Sequence, residues 1–225
     1  MREQLISQYH DLLQKDAGLD SSFLQALHSD MRAFRMMYGN RELGVALRPH
    51  FVSLNQYDQL ANSAAAVSSA LEKLTSVALA DEKVLARLRL SEAERTLALI
   101  DPGFASPAIN TRVDGFISED GIKFVEFNAE NPSSLVDQAG LNQILLNVPA
   151  MQRIGESYRL RQFSPEYRLY ESLLETWKEW GGKGMPHLAI LDWADLPTRH
   201  EFNLLRNYFV SHGLPAIICT PDELE

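Results

Sequence analysis

Apolar residues recur at helical spacing through the first hundred residues of the chain. Steps of three and four residues predict one long amphipathic helix, with an apolar stripe of Tyr57, Leu60, Ala64, Val67, Leu71 and Leu74. Ser91 and Glu94 have the spacing of a capping box and predict the start of a further helix. We therefore expect residues 1–105 to form a mainly helical N-terminal region.

The pattern changes after Ile109, where two runs rich in β-branched and aromatic residues follow each other. The runs 112–118 and 122–128 are separated by Glu119-Asp120-Gly121 and predict an antiparallel hairpin. A two-residue loop would place Asp114 opposite Phe127. A three-residue loop would give the pairs Ser118–Ile122, Phe116–Phe124, Asp114–Glu126 and Arg112–Asn128. Gly121 suits the left-handed position of a three-residue loop, so the second register is preferred.

Helices and a parallel unit are predicted for the second half of the chain. One helix is expected over 134–148, and another from Ser164 to the glycine pair at 181–182. The runs 187–191 and 216–220 are typical of buried strands, and Thr198 and Glu201 have capping-box spacing at the start of the helix between them. Strand, helix and strand in this order predict a parallel βαβ unit.

The expected fold class is α/β with some α+β character. It combines the helical region 1–105, the hairpin with flanking helices in 106–184, and the first βαβ unit of a Rossmann-like parallel domain in 185–225. A lone βαβ unit cannot cover a parallel sheet on both faces. We therefore expect the last region to be truncated, with the natural chain continuing past Glu225.

Composition and charge narrow the classes of function. A formal charge of −9 argues against a nucleic-acid partner, because phosphate binding needs clustered Lys and Arg. The sequence has no apolar run of about 20 residues and no signal-peptide pattern, so no membrane association is expected. The single cysteine, Cys219, excludes an intrachain disulfide, and the six histidines lack metal-ligand spacing. We expect a protein of the reducing cytoplasm.

The preferred hairpin register has an electrostatic consequence. Two directly opposed carboxylates, Asp114 and Glu126, repel each other across the strands. A divalent cation would resolve the repulsion, and a set of Asp, Glu and Asn128 oxygens suits Mg²⁺ or Mn²⁺ better than Zn²⁺. The alternative is a solvated face on which Arg112 pairs with the acids.

The residues 112–115 and 123–135 resemble the magnesium-binding hairpin of the glutathionylspermidine synthetase family, a circularly permuted branch of the ATP-grasp ligases. The family pattern is an Arg-x-Asp strand, a turn, and then Glu-x-Asn-Ala-Asp-x-Pro-x-Ser. This chain has Arg112-Val113-Asp114, and after the same twelve-residue step from Asp to Glu it continues Glu126-Phe127-Asn128-Ala129.

The resemblance implies an ATP-dependent carboxylate–amine ligase that forms a peptide-type bond through an acyl phosphate. Asp114, Glu126 and Asn128 would hold the Mg²⁺ or Mn²⁺ ions that bridge the ATP phosphates. Arg112 would be the catalytic residue, in contact with the transferred phosphoryl group of ATP or with the acyl phosphate. The partners implied are a small-molecule carboxylate and an amine.

The same resemblance implies that this chain is the N-terminal portion of such a ligase. The βαβ unit would begin its pre-ATP-grasp domain. The glycine-rich loop and the lysine pair that anchor ATP are not found in these 225 residues and would lie beyond Glu225, so this portion alone would be inactive.

Ser133 and Ser134 lie beside the expected start of the helix over 134–148. The free amides at a helix N-terminus attract anions, so the two serines could help to bind an anionic substrate group of the ligase. Ordinary capping of the helix is the alternative.

Two further functions stay open. The chain could be a non-catalytic binding or interaction module whose hairpin carboxylates are merely solvated. It could also be a metal-dependent hydrolase that uses the same three residues, Asp114, Glu126 and Asn128.

Overall fold

The computed structural model describes residues 2–15, 21–44, 46–106, 108–118, 121–129 and 133–224. The helices are α1 (Arg2–Lys15), α2 (Ser21–Ala33), α3 (Leu54–Ala80), α4 (Glu82–Leu85), α5 (Glu92–Ala98), α6 (Leu135–Leu146), α7 (Pro149–Ser157), α8 (Pro165–Glu179) and α9 (Arg199–Ser211). The strands are β1 (Met37–Tyr38), β2 (Arg41–Glu42), β3 (Arg112–Ser118), β4 (Gly121–Asn128), β5 (Leu188–Leu191) and β6 (Ala216–Cys219).

These elements form two compact units. The first contains the described residues of 1–53, 133–170 and 185–225, and the second those of 54–132 and 171–184. The boundary expected after residue 184 coincides with a change of unit, whereas the boundary expected after residue 105 lies inside the second unit.

The main core of the first unit lies where α1 packs against α7. Its buried apolar side chains are Tyr9, Phe51, Leu145, Val148, Ala150, Met151 and Ile154. Tyr9 is fully buried, and its hydroxyl donates a hydrogen bond to the carbonyl oxygen of Leu47 at 2.7 Å. Burial raises the pKa of Tyr9 to about 12, although the charge of Arg48 acts in the opposite direction. The phenol therefore stays protonated and remains a donor at neutral pH.

The helix expected over 134–148 is confirmed as α6, and the separate helix α7 that follows it was not foreseen. α6 ends at Leu146, and Val148 has an extended backbone with φ −64° and ψ 132° before Pro149 opens α7. Proline disfavours the helical conformation of the preceding residue and is well tolerated at the first helical position. The proline at 149 is therefore the physical reason that α6 and α7 are two helices, and α6 ends two residues before the expected limit at 148.

A short hairpin in the helical N-terminal region was not foreseen. β1 and β2 pair antiparallel through the turn at Gly39, whose φ is 60°. The Glu42 carboxylate accepts a hydrogen bond from Arg32 at 2.6 Å and contacts the His28 ring. Hydrogen bonding to His28, followed by the charge of Arg32, lowers the pKa of Glu42. Beside this hairpin a smaller buried cluster is formed by Leu27, Met31, Met36 and Ile144.

The parallel βαβ unit predicted near the C-terminus is confirmed. β5 and β6 pair parallel, with Leu188 opposite Ala216 and Leu191 opposite Cys219, and α9 connects them and packs against β6. Phe209 of α9 and Cys219 of β6 are buried, whereas Leu191 and Ile217 are exposed.

The second unit contains α3, α4, α5, the β3–β4 hairpin and the C-terminal part of α8. The capping box predicted at Ser91 is confirmed, because the Ser91 hydroxyl and the Glu94 carboxylate each accept the other residue's backbone N–H. After α8 the chain turns at Gly181, with φ 91°, and the N–H of Gly182 returns to the carbonyl oxygen of Trp177. The expected stop at the glycine pair is thus also confirmed.

The protein is therefore a mixed α/β chain, rich in helix and with small two-stranded sheets. Across the residues that the structure describes, none of the helices combines the length and the hydrophobicity that a bilayer crossing requires.

We predict that Tyr9→Phe lowers the free energy of unfolding by about 1–3 kcal/mol, because it leaves the half-buried carbonyl oxygen of Leu47 without its donor. Urea denaturation at pH 7 measures this loss. Tyr38→Phe is the matched control, since Tyr38 is exposed and the same change should have little effect there. Equal stabilities of the two variants would contradict the prediction.

Candidate functional site

The β3–β4 hairpin opposes the two carboxylates named from the sequence. Asp114 pairs with Glu126, and Arg112 pairs with Asn128, as the preferred register predicted. Gly121 has a φ of 112°, which agrees with its expected left-handed conformation. Four of the candidate residues thus lie at adjacent positions of one two-stranded sheet.

The pairing nearer the turn was predicted wrongly. Ser118 pairs with Gly121, and Phe116 pairs with Lys123, so the loop has two residues and the preferred three-residue loop was wrong. The Asp114–Phe127 pair expected for a two-residue loop is not formed either. Residues 119 and 120 of the loop lie outside the described residues. The register shifts between Asp114 and Gly115, where Val125 is an extra residue in β4. This bulge restores the Asp114–Glu126 pair that a regular ladder from Gly121 would have lost.

The bulge also separates the polar side chains from Phe124. Phe124 now pairs with Gly115, which follows Asp114 and therefore faces the other side of the sheet. A Cβ atom on Gly115 would lie 3.4 Å from the Phe124 ring and 3.0 Å from the Lys123 carbonyl oxygen, so the glycine makes room for this close approach. The expected Phe116–Phe124 pair would instead have placed both rings on the face of the acids.

Arg112 binds Asp114 along the same strand. Its Nε lies 2.8 Å from Oδ1, and its Nη2 lies 3.4 Å from Oδ2. About two-fifths of each side chain is exposed, and ion pairs in such positions contribute at most about 1 kcal/mol. The contact orients the guanidinium beside the opposed acids more than it stabilises the fold.

Glu126 and Asn128 offer their polar atoms in different environments. Glu126 is exposed, whereas Asn128 is half-buried and its Nδ2 is buried without a hydrogen-bond partner. A half-turn of the amide would bring Oδ1 to that position. The hairpin therefore supplies oxygen donors from Asp114, Glu126 and Asn128, of a kind that Mg²⁺ and Mn²⁺ accept. Within the described residues, no group of three His, Cys, Asp or Glu side chains is arranged to hold a metal ion.

The serines named from the sequence belong to the first unit, whereas the hairpin belongs to the second. Ser134 precedes α6 with a φ of 79°, and its side chain does not cap the helix. The N-terminus of α6 is instead occupied by the carboxylate of Glu201, whose Oε1 accepts from the Leu135 N–H at 2.8 Å. The position expected to attract an anionic substrate group thus already holds a carboxylate of the chain itself.

This contact overturns the capping box predicted for α9. Thr198 is the N-cap residue of α9, but its side chain makes no capping hydrogen bond, and Glu201 reaches α6 instead. The spacing of Thr198 and Glu201 is compatible with a carboxylate that bonds either to the start of α9 or to the start of α6. Burial of Glu201, which is 3% exposed, favoured the amides of the neighbouring helix.

Asp137 and His200 complete a buried polar cluster that the sequence reasoning missed. Oδ1 of Asp137 lies 3.5 Å from Nε2 of His200, and both atoms are buried without a hydrogen-bond partner. Burial raises the pKa of Asp137, against the opposing charge of His200. The available signal was periodicity: Glu201 lies four residues before Leu205 and eight before Phe209, on the apolar stripe of α9.

Comparison with known proteins adds no assignment, since no family model and no curated protein sequence matches the chain.

We predict that Glu126→Gln raises the free energy of unfolding of the metal-free protein by about 0.2–1 kcal/mol, because it removes a repulsive cross-strand pair. Asp114→Asn should change the stability less, since it also weakens the bond to Arg112. Urea denaturation in the presence of a chelator measures both. Glu175→Gln, at an exposed position in the same unit, is the control. A clear loss of stability in Glu126→Gln would show that the two acids do not repel each other.

Proposed function

We propose that the chain is part of an ATP-dependent carboxylate–amine ligase of the ATP-grasp type. The single observation that carries the proposal is the direct opposition of Asp114 and Glu126, with Arg112 on the same face. Directly opposed residues of an antiparallel pair have Cβ atoms roughly 4.5–5.5 Å apart, where like charges destabilise the pairing. Binding of a cation between the two carboxylates would offset this repulsion and would explain why the sheet contains such a pair.

The donor set fits a divalent cation with affinity for oxygen. Asp114 and Glu126 would supply charged oxygens, and Asn128 would supply a neutral amide oxygen. When bound, Mg²⁺ would neutralise part of the charge on the ATP phosphates. Asp114, Glu126 and Asn128 would hold the ion together with water and phosphate, the usual ligands of nucleotide-dependent magnesium sites.

Arg112 has the chemistry to act directly on the phosphoryl group. Its guanidinium offers a planar set of donors that matches two phosphoryl oxygens at once. The Nε–Oδ1 bond to Asp114 holds one edge of the group, so that Asp114 both orients Arg112 and faces Glu126. Fixed donors of this kind stabilise charge as it develops during phosphoryl transfer.

The remaining assignments of the proposal follow from the resemblance. The βαβ unit β5–α9–β6 would begin the Rossmann-like pre-ATP-grasp domain, and a small carboxylate and an amine would be the substrates. The amides at the start of α6 are not available to a substrate, because Glu201 already accepts a hydrogen bond from them. In the proposal, Ser133 and Ser134 therefore act through their side chains alone. Their exposed hydroxyl groups would contact an anionic substrate group directly.

One observation favours the second candidate, a non-catalytic binding module. Arg112 binds Asp114 within the chain, so one of the two acids already has a cationic partner without any metal. A hairpin of this kind could remain a solvated, charged surface. Metal binding and turnover separate the two functions.

We predict weak binding of Mn²⁺ by the isolated chain, with a dissociation constant on the order of millimolar, because only three protein donors are available. Paramagnetic broadening of amide signals measures it and should be strongest at residues 112–114 and 126–128. Glu126→Gln should abolish the broadening, and Glu175→Gln should leave it intact. Broadening that is absent, or that survives Glu126→Gln, would favour the solvated module.

In the complete gene product we predict that Arg112→Ala, Asp114→Asn and Glu126→Gln each lower ATP-dependent ligation by about 10²–10³-fold, the usual loss when one fixed electrostatic group is removed. The assay uses the complete product because the glycine-rich loop and lysine pair of this family are not found in the 225 residues. Glu175→Gln is again the control. Variants that melt below the parent but retain its turnover would show that the hairpin is structural.

A further inference from the structure

The buried cluster of Asp137, His200 and Glu201 has no part in the proposed ligase chemistry. Asp137 lies in the first turn of α6, and His200 and Glu201 lie in the first turn of α9. The cluster therefore joins the N-terminal ends of two helices that are distant in sequence: the Leu135 amide and the Glu201 carboxylate are 66 residues apart.

Glu201 is held by backbone amides. Hydrogen bonds from the N–H groups of Ser134, Leu135 and Val136 reach its carboxylate, and the partial positive charge of a helix N-terminus adds to the attraction. These contacts nevertheless do not offset the desolvation of a carboxylate that is 3% exposed. Burial raises the pKa of Glu201, the neighbouring Asp137 raises it further, and the amides only moderate the increase.

The charged groups that shift the pKa values of this cluster are members of the cluster itself. Among the described residues, the charged groups that shift the pKa values of the two carboxyls are Asp137 and His200. β6, which packs against α9, carries no charged side chain. The other charged side chains on the helices that pack here are His28, Asp30 and Arg32 on α2, Arg153 and Glu156 on α7, and Arg199 and Arg206 on α9.

Both carboxyls have folded-state pKa values above their unfolded ones, which fixes the sign of the pH dependence. Between the unfolded and the folded pKa, the folded chain binds more protons than the unfolded chain. Stability from these groups is therefore greatest below the unfolded pKa and is lost as the pH rises through the raised folded pKa.

We propose that Asp137, His200 and Glu201 form a proton-dependent latch, which fastens the start of α6 to α9 when the cluster holds a proton and loosens when that proton leaves. A protonated carboxyl removes the repulsion between Asp137 and Glu201. A protonated imidazole attracts the Asp137 oxygen that lies 3.5 Å from it. Ionisation of both acids places two neighbouring negative charges in a buried site, where they repel each other. This inference is independent of the proposed ligase.

The test is a pair of measurements on the full chain between about pH 4.5 and pH 8, the interval above the ordinary carboxyl values. Urea denaturation gives the midpoint at each pH, and hydrogen exchange gives the protection factor of the Leu135 amide, which donates to Glu201. In the parent, both should fall as the pH rises. Glu201→Gln keeps the acceptor oxygen without the charge and should reduce both falls by at least half.

Glu223→Gln is the matched control. Glu223 belongs to the same unit but is exposed, and hydrogen bonds from Thr220 lower its pKa, so this change should leave the fall of Leu135 protection intact. Asp137→Asn is the second test variant and keeps the inference open to refutation if Glu201→Gln fails to fold. It should also flatten both profiles. Leu135 protection that rises with pH, or that falls equally in the parent and in the folded test variants, would overturn the latch.

Discussion

One extra residue, Val125, decides which side chains of the hairpin share a face. Strand side chains alternate strictly, so a ladder continued from the Ser118–Gly121 pair without interruption would have moved Glu126 to the other side of the sheet from Asp114. The bulge absorbs the mismatch and places Asp114 opposite Glu126, while Phe124 keeps the pairing with Gly115 that the ladder from the turn gives it. Without this bulge, Glu126 would not lie opposite Asp114 and beside Arg112.

A comparable constraint governs the first unit, where the amides at the start of α6 need partners. Ser134 stands at the conventional position for a capping residue, but its backbone is left-handed and its side chain does not bond to the helix. Glu201 supplies the acceptor from a different helix. A local requirement of the backbone is thus met by a tertiary contact, and the contact brings a carboxylate into the protein interior.

The sequence predicted those features that depend on local chemistry. The glycine pair at 181–182 marked the end of α8. The Asp114–Glu126 pair was also predicted, but from a three-residue loop; in the structure it forms because of the bulge at Val125. The features that were missed are those in which the local sequence allows two different hydrogen-bond partners for the same side chain. The capping box of Thr198 and Glu201 is chemically sound, yet the amides of α6 bind the same carboxylate in a buried site. The ligand chemistry of the hairpin stays a prediction, because pairing alone does not identify what binds there.

The stacked indole rings of Trp177 and Trp180 give the second unit its own optical signature. Their centroids are 5.4 Å apart with an interplanar angle of 28°, close enough for their electronic transitions to couple. The remaining tryptophan, Trp193, lies in the first unit and is largely exposed. A coupled near-ultraviolet dichroism band would therefore arise from residues 177 and 180. Circular dichroism on the unmodified chain can in this way follow the second unit separately.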